Sequence, residues 1–117
     1  MVASGQQLLQ LLGQSGLPLR ALLWVLHTET DSWKLWAVPE RPIDKLEFYR
    51  RVVDIILRHP AELPALEVGD VELVSESHPA IRGLRAFAQV EEGRAVEFRD
   101  NMLNGFYLPD GIVLKLA

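Results

Sequence analysis

The chain has 117 residues and a formal charge of -4, and its 13.2 kDa fits one domain spanning residues 1–117, with no room for a second. Hydrophobic residues make up 49% and charged residues 24%, too apolar for intrinsic disorder, while the acidic balance excludes a general basic affinity for nucleic acid or anionic membrane. The absence of cysteine removes disulfides, thiolate metal sites and cysteine nucleophiles together.

Ser4 to about Ser15 reads as a short helix. Ser4 and Gln7 have the spacing of a capping box, Leu8, Leu9, Leu11 and Leu12 supply an apolar face, and Gly16 and Pro18 end it. A strand follows over Arg20–Thr28. Its run Ala21–Leu26 is apolar on both faces, which predicts a central strand covered on both sides. Glu29–Ser32 turns the chain and Trp33–Val38 returns. A two-residue loop at Asp31-Ser32 would set Glu29 opposite Lys34 and His27 opposite Trp36, bringing opposite charges together, but Asp-Ser is not the preferred pair for such a turn and a longer loop is the alternative.

Lys45–Arg58 is the best-defined helix. Asp44 and Glu47 form its N-terminal capping pair, Ile43 and Phe48 have staple spacing, and Pro60 stops it. Leu46, Tyr49, Val52, Val53 and Ile56 are read as its buried stripe. A strand at Val71–Val74 and a third helix starting at Ser77 or His78 come next, with Pro79 in the first turn and Ile81, Leu84 and Phe87 facing inward. The C-terminus reads as an antiparallel meander, with turns at Asn104-Gly105 and at Pro109-Asp110-Gly111. A tight Asn104-Gly105 turn would place Leu103 on the face of Glu97 and Arg99, so a β-bulge or wider loop near Asp100-Asn101 is expected to correct the phase. The order predicts an α+β fold: a mainly antiparallel sheet of five to six strands, about three helices packed on it, and a C-terminal β-meander.

The segment Val96–Leu108 and the returning strand Ser32-Trp33-Lys34-Leu35-Trp36 resemble a family of short bacterial proteins of no known activity. The resemblance implies a bacterial origin and a recurrent turn at Asn101–Gly105, and it assigns no catalytic residue.

Few constellations could carry chemistry. His27, Glu29 and Asp31 are spaced by two, so on a strand they would share a face, and a histidine with two carboxylates suits zinc, manganese or iron in a small hydrolase or nuclease. The competing reading is a polar strand end. Arg51 and Arg58 are seven apart on one helix face and could form a phosphate-binding strip, although Glu47 and Asp54 on the same surface favour a solvated mixed-charge face. None of the five serines lies in a nucleophile elbow, and the eight glycines form neither a dinucleotide fingerprint nor a P-loop. Trp33, Trp36, Phe106 and Tyr107 are surplus strand aromatics, the residue type that anchors protein interfaces.

Residues 1–59 carry seven basic and six acidic side chains and residues 60–117 carry five and ten, so the halves differ, +1 against -5. The longest unbroken apolar run is six residues, against the ~20 a transmembrane helix needs. The first nineteen residues hold no Lys or Arg, so a signal peptide with a positive n-region is not expected. The expectation is a soluble, cytoplasmic interaction protein: an accessory, immunity-like or oligomerising subunit that uses strand addition or its aromatic faces on another protein or on itself. No cofactor is expected. The metal hydrolase and, more weakly, a nucleic-acid-binding module are the alternatives.

Overall fold

A computed structural model describes all residues 1–117. In chain order the elements are α1 (Val2–Gln14), β1 (Leu19–His27), β2 (Ser32–Pro39), α2 (Lys45–Arg58), β3 (Val71–Leu73), α3 (Pro79–Phe87), β4 (Val96–Leu103) and β5 (Phe106–Leu116). The five strands form one sheet in the order β3-β2-β1-β5-β4. Every pairing is antiparallel except β2 with β3, and the class is α+β. No helix is long and apolar enough to cross a membrane.

The two-faced apolar run puts β1 at the centre of the sheet, and its alternate side chains enter separate cores. Leu22 and Trp24 join Leu8, Leu9 and Leu12 of α1 and Phe48, Val52 and Ile55 of α2 on one face. Ala21, Leu23 and Val25 join Ile81 and Leu84 of α3 and Leu103 and Leu108 of the C-terminal hairpin on the other. Helices therefore cover both faces, and no polar or charged residue is fully buried. The chain achieves this with local irregularities. A register shift at Arg20 moves Leu19 to the first core while Ala21 serves the second, and another shift between Leu22 and Leu23 against β5 leaves Leu114 as the extra residue.

α2 has the predicted limits. Asp44 accepts hydrogen bonds from the backbone N–H groups of Leu46 and Glu47 at 3.1 and 3.3 Å, satisfying two donors the helix cannot satisfy itself. Its buried stripe differs from expectation: Phe48, Val52 and Ile55 face the core, whereas Leu46 and Val53 point outward. α1 begins at Val2, before the expected capping box. Ser4 Oγ donates to the Met1 carbonyl instead of capping, and Trp24 Nε1 donates to the same carbonyl at 3.0 Å, tying the helix start to β1. In α3 the His78 imidazole is the cap, its Nδ1 accepting from the Ala80 N–H at 3.1 Å, and Pro79 occupies the first turn. Phe87, expected inward, is 82% exposed because α3 ends there.

Two turn expectations need correction. The first hairpin pairs His27 with Ser32 and Leu26 with Trp33, so Thr28–Asp31 is the loop. Lys34 faces Val25 rather than Glu29, and its ammonium donates to the Gly69 carbonyl at 2.9 Å. At the C-terminus two strands, β4 and β5, make a hairpin rather than a meander: Pro109-Asp110-Gly111 lies inside β5, because Phe98 pairs with Gly111 and Arg99 with Asp110 across the ladder. The expected bulge is also absent. Each paired position sums to the same register from Val96↔Val113 to Leu103↔Phe106. The face switch takes place in both strands at once. Phe98 and Leu103, five residues apart, pack on the same core, and so do Leu108 and Val113. An odd separation requires each strand to turn over in between, and Asp100 in β4 adopts the left-handed conformation (φ 49°) that allows it.

Candidate functional site

The switch has a consequence for the sheet. β1 and β5 pair from Ala21↔Leu116 to Val25↔Gly111 and no further, since Pro109 has no N–H to offer a ladder. β1 continues to His27 beside β2, while residues 106–108 of β5 stay with β4. The two hairpins part, and an open cleft of about 260 Å³ lies between them. One wall is Leu26, His27 and the Thr28–Thr30 turn. The other is Phe106–Pro109, and Trp36 of β2 lies at the cleft.

Three of the four candidate aromatics meet here. Trp36 is only 4% exposed. Its ring centroid lies 4.9 Å from His78, tilted, and 6.0 Å from Phe106, edge-on, and His78 and Phe106 are 4.7 Å apart at 75°, an aromatic triad that fixes the Trp36 plane. Burial among these rings holds the His78 pKa below its ordinary value of 6.5, which suits a cap that must accept a hydrogen bond through an unprotonated nitrogen. Tyr107 is half exposed at the rim. Its hydroxyl donates to Asp100 Oδ1 at 2.6 Å, and this bond, then desolvation, then the charges of Asp100 and Asp110 raise the phenol pKa above its usual 10.0. Trp33, the fourth, packs against the first core, on the other side of the sheet from Trp36.

Polar groups at the cleft are incompletely satisfied. His27 Nε2 and Trp36 Nε1 are both buried atoms without a hydrogen-bond partner. An indole N–H is a donor only, and leaving it unpaired away from water costs ~1–3 kcal/mol. Such groups in a cleft mark a place where a ligand's acceptors would be favoured.

The metal and phosphate alternatives fare differently. Glu29 and Asp31 lie in the loop rather than on the strand, so the alternation that would have aligned them with His27 ends at His27, and no group of three His, Asp or Glu side chains comes together anywhere in the chain. Arg51 Nη2 donates to the Ser15 carbonyl at 2.6 Å, closing the C-terminal end of α1 against α2, and Arg58 Nε is paired with Asp54 at 3.1 Å. Both guanidinium groups of the expected strip are thus engaged within the fold. His78 escaped the sequence reading as a member of the aromatic triad, since its position before Pro79 spoke only of capping. No protein-family model, curated protein or solved structure matches the chain.

Proposed function

We propose that the protein acts by protein–protein contact and that the cleft between the two hairpins receives an extended segment of a partner. One observation carries this reading: where β1 and β5 part, His27 Nε2 and Trp36 Nε1 are left without partners beside Phe106 and Tyr107. The edges that face each other across the gap, Leu26–His27 and Phe106–Leu108, have no strand neighbour on that side. A segment laid between them would gain main-chain hydrogen bonds, as in strand addition. The indole N–H would donate to one of its carbonyl or carboxylate oxygens, and the Phe106 and Tyr107 rings would supply apolar contact.

The test is site-specific photocrosslinking in the native host, with p-benzoylphenylalanine in place of Tyr107 and, as a control on a distant face, of Gln10. A single defined adduct at 107 that is missing at 10 supports the cleft. Trp36→Phe keeps most of the ring and deletes the donor, and should weaken that adduct about five- to tenfold, the value of one hydrogen bond. Identical faint adducts at both positions would refute the reading.

A further inference from the structure

α2 is apolar on two sides. Phe48, Val52 and Ile55 face the core, while Leu46, Val53 and Leu57 are exposed, Leu46 by 66% and Leu57 by 74%. At about 100° per residue these three fall within some 40° of one another, opposite the buried stripe. They make a continuous row of steps of seven and four residues, and nothing in the fold covers it. Glu47, Arg50, Asp54 and Arg58 share one flank of this row, with a contact between Glu47 and Arg50 at 3.9 Å and one between Asp54 and Arg58 at 3.1 Å.

The order of these charges identifies the occupant. In a two-fold pair of antiparallel helices, each flank meets the same flank of the other copy running in reverse. With Leu46 set against Leu57 of the second copy, Asp54 lies about one residue of rise, ~1.5 Å, from direct opposition to the second copy's Arg50, while Glu47 lies about two residues, ~3 Å, from both its Arg58 and its Asp54. The closest charges across the seam are therefore the opposite pair Asp54 and Arg50, twice over by symmetry. The helix dipoles also oppose, which is favourable. A parallel pairing would instead set this flank against the opposite one, which carries no carboxylate.

We infer that the outer face of α2 is a self-association surface, two copies of this chain pairing antiparallel through Leu46, Val53 and Leu57 with Asp54–Arg50 contacts between them. The inference concerns a different face from the cleft and stands whether or not the cleft binds a partner. One helix pair of fourteen residues covers less than the ~1,200 Å² at which stable complexes begin, so the dimer dissociates on dilution.

Sedimentation equilibrium across a hundredfold concentration range tests it. The weight-average mass should climb from 13.2 kDa toward twice that value. Leu57→Glu, at an exposed position, should hold it at the monomer mass with an unchanged circular dichroism spectrum. Arg50→Glu alone should weaken association at least tenfold, and Arg50→Glu with Asp54→Arg, which exchanges the two charges across the seam, should restore much of it. Tyr107→Ala, in the cleft, should leave association unaltered. A wild-type monomer at every concentration overturns the inference. So does a dimer that survives Leu57→Glu, or a double exchange no better than Arg50→Glu.

Discussion

Replacing Gly83 with alanine sets two effects of known size against each other. Alanine is favoured over glycine in a helix interior by ~1 kcal/mol, so on propensity alone Gly83→Ala would stabilise α3. But Gly83 is buried against β4. A β-carbon added there would lie 2.9 Å from Leu103 Cβ, 3.1 Å from its Cδ2 and 3.3 Å from its Cα, against the ~3.5–4.0 Å of ordinary carbon contact. The nearest atom is fixed to the β4 backbone and cannot rotate away. Relief requires α3 to lift from the sheet by about half an ångström, loosening Ile81 and Leu84, and overpacking of this kind costs ~1–3 kcal/mol. The clash wins: Gly83→Ala should destabilise by up to ~2 kcal/mol after the propensity gain is deducted. Gly13, in the last turn of α1, is exposed, and an added β-carbon there meets nothing within 4 Å. Gly13→Ala should stabilise by ~0.5–1 kcal/mol. Urea unfolding of both variants, with midpoints compared at constant slope, reads the opposite signs directly. Equal stabilisation by both would refute the account of how α3 sits on β4.

His78 should make stability pH-dependent. Its folded pKa is lowered by burial, so the neutral form belongs to the folded state. The stabilisation is present above the unfolded value of 6.5 and is lost as pH falls through the folded pKa. His78→Asn, which can still cap, should flatten the unfolding midpoint between pH 7 and pH 5, two conditions that bracket the ordinary histidine range, and an unaltered slope would contradict this. Asp44→Ala should cost ~1 kcal/mol by removing the α2 cap, measured as a drop in thermal midpoint with the native helix content retained. Absorbance titration should place Tyr107 above 10.0, and Asp100→Asn should bring it back toward that value. A phenol that ignores Asp100 would remove the hydrogen bond from the description of the cleft rim.

The parts of the fold legible in the sequence were those set by local chemistry. α2 could be bounded because Asp44 caps it and Pro60 follows it, and β1 could be centred because six consecutive apolar residues need cover on both faces. The first hairpin's register was not legible, for a reason particular to strands. The expected pairing, Glu29 with Lys34, and the observed one, His27 with Ser32, differ by an even step, so both put the same side chains on the same faces. Hydrophobic phase cannot choose between them, and an exposed ion pair worth ~0–1 kcal/mol is too weak to decide. The loop decides, through the left-handed Asp31 at φ 49°. The α2 stripe was misassigned differently. With apolar residues on both sides of the helix, periodicity alone selected Leu46 and Val53 along with Val52, where a helical wheel separates the row of Phe48, Val52 and Ile55 from the row of Leu46, Val53 and Leu57.

The C-terminal hairpin ties the misreading of the fold to the placement of the site. Its phase conflict was visible in the alternation of Val96, Phe98 and Leu103, and one bulge would have resolved it by shifting β4 against β5. The chain keeps the register and turns both strands over together, using Asp100 on one and the Pro109–Gly111 stretch on the other. A turn-forming tripeptide inside a strand is what makes that possible, and it is also why the tripeptide looked like a chain reversal. The same stretch ends the β1–β5 ladder at Gly111, so the departure that defeats a simple strand reading is what opens the cleft. Phe106 and Tyr107 could be singled out by residue type. That they meet Trp36 and His27 follows only once β5 is known to leave β1 three residues beyond Leu108.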